Sequence, residues 1–292
     1  MNAADAGILM LTCPLGQADA QVLTPQQFAQ TAKIVRARHV DGGDPTEELT
    51  VSALEALGFT MENSGRLVAL LTRERELSDY LARAEQRGVF WLTVRAADYP
   101  ASLRKLRGSM PPVLFGRGDR KLLSSKKIAL VGSRRLESAP RKFAERIGFL
   151  SAKEGFTLVS GGAAGADSAA QDACLDAGGS VIVVTPKRLT EEVLRPRMLI
   201  LSESGWDLEF TNHRALARNR LIHALGEKTF VAQCANGVGG TWHGSAENLR
   251  ARLSPLFVYD DGSDGAQALL DLGATPVGML RSLADAAPAG LV

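Results

Sequence analysis

Two short stretches of this 292-residue chain carry the groups best suited to hold an anion. Gly132-Ser133-Arg134-Arg135 follows an apolar run at 128–131. It offers a glycine for close backbone approach, a hydroxyl, and two guanidiniums that match phosphate oxygens in a bidentate manner. Ser160-Gly161-Gly162-Ala163-Ala164-Gly165 follows a second run at 156–159. It brings backbone N–H groups to a helix start, where hydrogen bonding and the helix dipole both favour negative charge. Gly132, Ser133, Arg134, Arg135, Ser160, Gly161, Gly162 and Gly165 together read as a phosphate cradle built from two adjacent strand–turn–helix units. Asp167 follows closely and either caps the second helix or organises the cradle; the cap is the favoured reading. A second polar constellation, Arg218-Asn219-Arg220, reads as the start of a later helix, with His213 and Arg214 beside it.

Other anion chemistries fit less well. Gly162 and Gly165 have the spacing of the last two glycines of a dinucleotide fingerprint, but the acid that should hold a ribose about 20 residues on is missing. That region reads Val184-Thr185-Pro186-Lys187-Arg188. No Walker sequence occurs, and the four histidines show no triad or metal-ligand spacing. With 5% aromatic residues, base-stacking platforms are few, so affinity for a nucleic acid should come from arginines and backbone N–H groups. No catalytic residue, metal or organic cofactor is assigned.

The elements that position these groups alternate. Strands are expected at 128–131, 156–159, 180–185, 198–202, 229–234 and 256–259, with helices between them, including 215–225 and 240–253. Apolar runs with few polar interruptions indicate strands covered on both faces, hence an α/β doubly wound parallel sheet. Ligands in such sheets sit outside the carboxyl ends of the strands, where both glycine turns fall. Residues 1–86 read as a small helical domain. Thr24-Pro25 opens one helix, Leu49, Ala53, Leu54 and Leu57 mark a second, and Asn63 caps a third. Residues 87–125, interrupted by Pro100, Pro111 and Pro112, read as a linking and packing segment, and 126–292 as the core.

The net charge of +2 is uninformative, but between 101 and 150 there are 13 lysines and arginines against 3 acids. A block this basic beside the cradle points to a polyanion longer than one nucleotide. Cys13, Cys174 and Cys234 are too scattered for a disulfide framework or zinc site, and Cys174 and Cys234, in apolar surroundings, read as buried thiols. The apolar stretch 8–11 lacks a basic flank and is too short for export or a span, so a cytoplasmic location is expected.

Four motifs, in order, resemble the DNA-processing protein DprA (Smf) family. They are YPASLRKLRGSMPPVLFGRGDRKLL, VGSRR, SGGAAGADSAAQDACLDAGG and ARNRLIHALGEKTFVAQC. The resemblance covers most of the chain. It implies an extended Rossmann-like core and single-stranded DNA held by the two glycine turns with Arg218, Asn219 and Arg220. It also implies delivery of that DNA to a RecA-type recombinase during natural transformation, and a homodimer formed through the core. The chain departs from the pattern at Ala166 and Gln171, which stand for the usual Ile and His. It also lacks the later YP-x-x-N, and a glycine-rich segment has become GVGGTWHGSAEN. Gly237 to Thr241 faintly echo the PGG-x-GT-x-x-E motif of the related LOG phosphoribohydrolases, with the acid displaced to Glu247. A hydrolase of that kind and a nucleotide sensor are the alternatives.

Overall fold

A computed structural model describes residues 1–17, 20–38 and 50–287. The chain forms two compact units, one of residues 1–99, 107–115 and 203–206, the other of 100–106, 116–202 and 207–292.

Among the described residues the first unit carries five helices: α1 (Ala3–Thr12), α2 (Pro25–Arg38), α3 (Val51–Ala56), α4 (Met61–Leu71) and α5 (Glu74–Gln86). Strand β1 (Val89–Thr93) follows, and β2 (Val113–Gly118) begins here. Thr24 opens α2 by reciprocal bonding, its hydroxyl accepting from the Gln27 N–H and its own N–H donating to Gln27 Oε1. The third expected helix starts earlier than the sequence suggests. Thr60, not Asn63, is its cap, because the Asn63 N–H donates to the Thr60 hydroxyl and Asn63 lies inside the first turn. Leu23, Leu54, Leu67 and Leu70 form the small core beneath these helices; Leu49, expected on the same stripe, lies outside the described residues. Buried Arg73 donates to the Met10, Cys13 and Leu70 carbonyls and closes the C-terminal end of α1.

Among the described residues the second unit contains seven parallel strands: β3 (Lys127–Val131), β4 (Thr157–Ser160), β5 (Ser180–Val184), β6 (Met198–Glu203), β7 (Lys228–Val231), β8 (Leu256–Tyr259) and β9 (Thr275–Val277). Their order is β6-β5-β4-β3-β7-β8-β9. Every residue of β3, β4 and β6 is buried, as expected of strands covered on both faces. The crossovers are α6 (Ser138–Lys153), α7 (Ala166–Asp176), α8 (Asn212–Leu225), α9 (Gly239–Ala251) and α10 (Asp264–Asp271). The chain moves outward from β3 to β6, returns through α8, and enters β7 on the other side of β3. This is the doubly wound parallel sheet expected from the sequence. Its direction reverses between β3 and β7, so the crevice outside their carboxyl ends is the topological switch point. Among the described residues no helix is long and apolar enough to cross a membrane.

Candidate functional site

The loop after β3 is fastened on three sides. The Ser133 N–H donates to the Gln233 carbonyl beyond β7, Ala166 N–H at the start of α7 donates to the Ser133 carbonyl, and Thr241 Oγ1 on α9 donates to the Gly132 carbonyl. The space at Gly132 is closed: a Cβ there would lie 2.5 Å from that of Ala166, so the small residue standing for the family's Ile fits this contact. A backbone held this way leaves the side chains of Arg134 and Arg135 exposed above it.

The loop after β4 is built differently. Asp167 sits in the first turn of α7, and its Oδ2 reaches back to accept from the N–H groups of Gly161 and Ala163, both at 3.1 Å. It is not the cap: that position falls on Gly165, which has no side chain to offer. Asp167 instead holds the loop in shape, while the Ala166 and Ser168 N–H groups of the first turn are met by the Ser133 and Ala163 carbonyls. Buried Gln171, where the family has His, donates from Nε2 to Ser160 Oγ at 2.5 Å and fixes the loop's other end.

Arg218 also differs from expectation. The Arg218-Asn219-Arg220 run lies in the middle of α8, not at its start, because Thr211 caps that helix six residues before Ala217. Arg218 is 9% exposed, and its Nη1 donates to the Val184 carbonyl at the end of β5. Its guanidinium occupies the space beside Gly161, where a built Cβ would come within 1.7 Å of Nη1. Burial pushes the Arg218 pKa below its ordinary value, opposed by Asp167 and Glu192 and reinforced by Arg134. Burial likewise pushes the Asp167 carboxyl up, opposed by Arg218, the two loop N–H groups and Arg134. Arg218 and Asp167 thus offset one another's buried charge across the loop. Asn219 Nδ2 donates to the Gly240 carbonyl and Arg220 Nε to the Ala217 carbonyl. Arg214 is committed to the Pro186 carbonyl and the Ser202 hydroxyl, and His213 is exposed.

These elements enclose an open cleft of about 700 Å³ at the switch point. Gly132, Ser133, Arg134, Arg135, Arg218 and Asn219 line it; Ser160, Gly161, Gly162, Gly165 and Arg220 do not. The second glycine loop supports the cleft through Ala163 and Asp167 and does not form its open wall. Two contributors escaped the sequence reading. The far wall is Val238-Gly239-Gly240-Thr241 at the start of α9, the segment noted for its faint hydrolase echo. At the mouth stand Phe210 and Leu216, each 46% exposed, and Val238 at 67%. An exposed phenylalanine immediately before the Thr211 cap was the available signal, but composition alone does not say which phenylalanine is exposed.

The floor carries a buried histidine. Ser254 N–H donates to Asn248 Oδ1, so the Asn248 amide presents Nδ2 to His223 Nδ1 at 3.1 Å. That nitrogen is an acceptor, which places the ring proton on Nε2. Burial alone lowers the His223 pKa from 6.5 to about 3. A histidine whose folded pKa is depressed contributes stability that is complete above its unfolded pKa and is lost as pH falls toward the folded one. Unfolding free energy should therefore fall by up to about 1.4 kcal/mol per pH unit between pH 6.5 and about 3 on account of His223. Urea melts at stepped pH should show His223→Gln lacking that component; parallel profiles for the two proteins would refute it.

Comparison with known proteins bears on this architecture. The family model of DNA recombination-mediator protein A matches residues 90–287. DNA processing protein DprA of Streptococcus pneumoniae is 31% identical over 190 residues, covering 60% of this chain and 66% of that protein. DprA of Bacillus subtilis is 26% identical over 265 residues, covering 84% and 87%. The crystal structure of the S. pneumoniae protein superposes with a TM-score of 0.69 at 25% identity, covering 95% of each chain. DNA processing protein A of Helicobacter pylori, described for its single-stranded DNA binding mode, gives 0.55 at 29% identity, covering 64% of this chain and 90% of that one. A family match across residues 90–287, well over half of the sequence, establishes that the chain belongs to the DNA recombination-mediator protein A family.

Proposed function

We propose that the chain binds single-stranded DNA along the switch-point cleft, and that it protects incoming strands and loads a RecA-type recombinase on them during DNA uptake and natural transformation. The observation that carries this is the pairing of two exposed guanidiniums, Arg134 and Arg135, with exposed Phe210 at one cleft mouth. Charge neutralisation plus a stacking surface is what strand binding without base reading requires. The single-stranded DNA binding of the H. pylori relative supports the same reading. Gly132, Ser133, Arg134, Arg135, Arg218 and Asn219 act within the cleft in this proposal, while Ser160, Gly161, Gly162, Gly165 and Arg220 shape its surroundings.

The recombinase partner, the cytoplasmic location and a homodimer are part of the proposal on the strength of the family resemblance. So is the division into a helical domain at 1–86, a packing segment at 87–125 and a DNA-binding core at 126–292. The dimer would use the later part of the sheet, where β9 ends the strand order and Leu272 and Met279 beside it are about half exposed. The hydrolase alternative is less favoured because Glu247 does not line the cleft.

Fluorescence anisotropy with single- and double-stranded oligonucleotides of one sequence tests the proposal; equal affinity, or none, would reject it. Phe210→Ala should weaken single-strand binding by about 1–3 kcal/mol, the contribution of one stacked base, without changing the salt dependence. A loss that vanishes at high salt would instead assign Phe210 a merely electrostatic surrounding role.

A further inference from the structure

The first unit carries a groove of its own, of about 530 Å³, bounded by α2, the residue after β1 and the turn that leads into β2. The α2 residues along it recur at the spacing of one helical face, from Pro25 through Phe28 and Ala32 to Arg36. Phe28 also packs on the small leucine core, whereas Ala32, one turn on, is a small side chain facing Val94 and Met110 across the groove.

Every side chain in the lining is either apolar or cationic. Lys33, Arg36 and Arg107 are the cations, all three exposed, and no acid or neutral polar side chain stands among them. None of the three makes an ion pair or a side-chain hydrogen bond among the described residues. Lys33 and Arg36 lie about one turn apart on α2, and Arg107 comes from a separate segment. Arg107 is held at φ 51° and ψ −123°, the conformation of the first central position of a type II′ turn, which glycine normally fills. An arginine there carries backbone strain that glycine avoids, and it sets an exposed guanidinium at the groove.

We propose that this groove docks an acidic, amphipathic peptide segment of a partner protein, with apolar side chains against Phe28, Ala32 and Met110 and carboxylates on Lys33, Arg36 and Arg107. Charge complementarity selects the occupant, because three cations without a neighbouring acid put a positive potential over an otherwise apolar trough. A helical ligand with apolar anchors at i, i+3, i+4 and i+7 and acids flanking them meets both features. Met110, with its unbranched side chain, adapts to anchors of different shape. A nucleic acid strand is the poorer match. Its bases stack on ring faces, and Phe28, the one aromatic residue of the lining, is partly covered by the leucine core.

Selection of a phage-displayed library of random peptides, each about 16 residues or four helical turns long, on the full chain tests the proposal. The double variant Lys33→Glu, Arg36→Glu serves as counter-target. Enriched peptides should be acidic, with apolar residues at helical spacing, and should not be retained by the counter-target. In fluorescence anisotropy the tightest of them should lose affinity as salt rises, and should bind Arg107→Gly about two- to fivefold more weakly, the effect of one exposed ion pair. Arg107→Gly should leave the urea midpoint no lower, since glycine adopts that backbone conformation without strain. A lower midpoint with unchanged peptide affinity would make Arg107 a structural residue and overturn its part in docking.

Absence of enrichment, enrichment of basic or uncharged peptides, or equal retention by the counter-target overturns the proposal. So does a loss of single-stranded DNA affinity in the double variant as large as its loss of peptide affinity, which would assign the groove to nucleic acid. Should the double variant fail to fold, Arg107→Gly decides alone. None of these residues lines the switch-point cleft, so failure here leaves the strand proposal standing.

Discussion

Replacing Arg134 and Arg135 together with alanine is expected to lower affinity for single-stranded DNA by about 10²- to 10⁴-fold at low salt. The estimate takes one charge-assisted hydrogen bond to phosphate per guanidinium, about 1.5–3 kcal/mol each. Both side chains are exposed on a loop whose backbone is fastened at Gly132, Ser133 and Ala166, so their removal should not disturb the fold. Loss of two phosphate contacts should flatten the plot of log affinity against log salt by about 1.4, at roughly 0.7 per contact for single strands. The effect should be nearly the same for every base sequence, because phosphate contacts position a strand without reading it. Lys153→Ala, an exposed cation on α6 outside the cleft lining, supplies the control and should change little. An unchanged affinity and slope in a folded double variant would reduce the loop to a structural turn and remove the strand proposal.

What could be foreseen of this site follows the range of each residue's interactions. The glycine turns and the exposure of Arg134 and Arg135 were legible because turn chemistry and the solvation of charged side chains are local properties, and the parallel sheet was legible because its strands are uninterrupted apolar runs. The role of Asp167 was not, since it depends on the preceding loop curling back over the first turn of α7. Arg218 reads as an exposed cation within a polar helical run. It is buried because α8 returns across the sheet beneath the β4 loop, where Gly161 leaves room for a guanidinium. His223, Asn248 and Ser254 form one hydrogen-bonded chain across the end of α9, and no spacing rule links a histidine to an asparagine 25 positions away. The wall at Val238 to Thr241 looked like a degraded motif for a different reaction until the switch point brought it opposite Arg134.

The second large effect concerns stability, and it falls on Gly165. This residue has φ 86° and ψ −119°, a conformation in which a side chain is strained, and it is also where the two glycine loops touch. A Cβ there would lie 2.4 Å from the Ser133 carbonyl oxygen and 2.5 Å from that of Arg134, both backbone atoms that cannot rotate away. Gly165→Ala should therefore cost about 2–6 kcal/mol, the sum of roughly 1–3 for the backbone conformation and 1–3 for forced displacement of packed atoms. Gly155→Ala is the comparison for a glycine of positive φ without crowding, because Gly155 has φ 75° with nothing within 4 Å of a built Cβ. Urea unfolding of the two variants should place Gly165→Ala well below Gly155→Ala in midpoint at similar slope. The displaced Arg134 carbonyl should also weaken single-strand binding of Gly165→Ala under conditions where the variant is fully folded, whereas Gly155→Ala should bind as the unmodified chain does. Equal destabilisation by the two substitutions would show that the loops are not in the close contact on which the positioning of Arg134 depends.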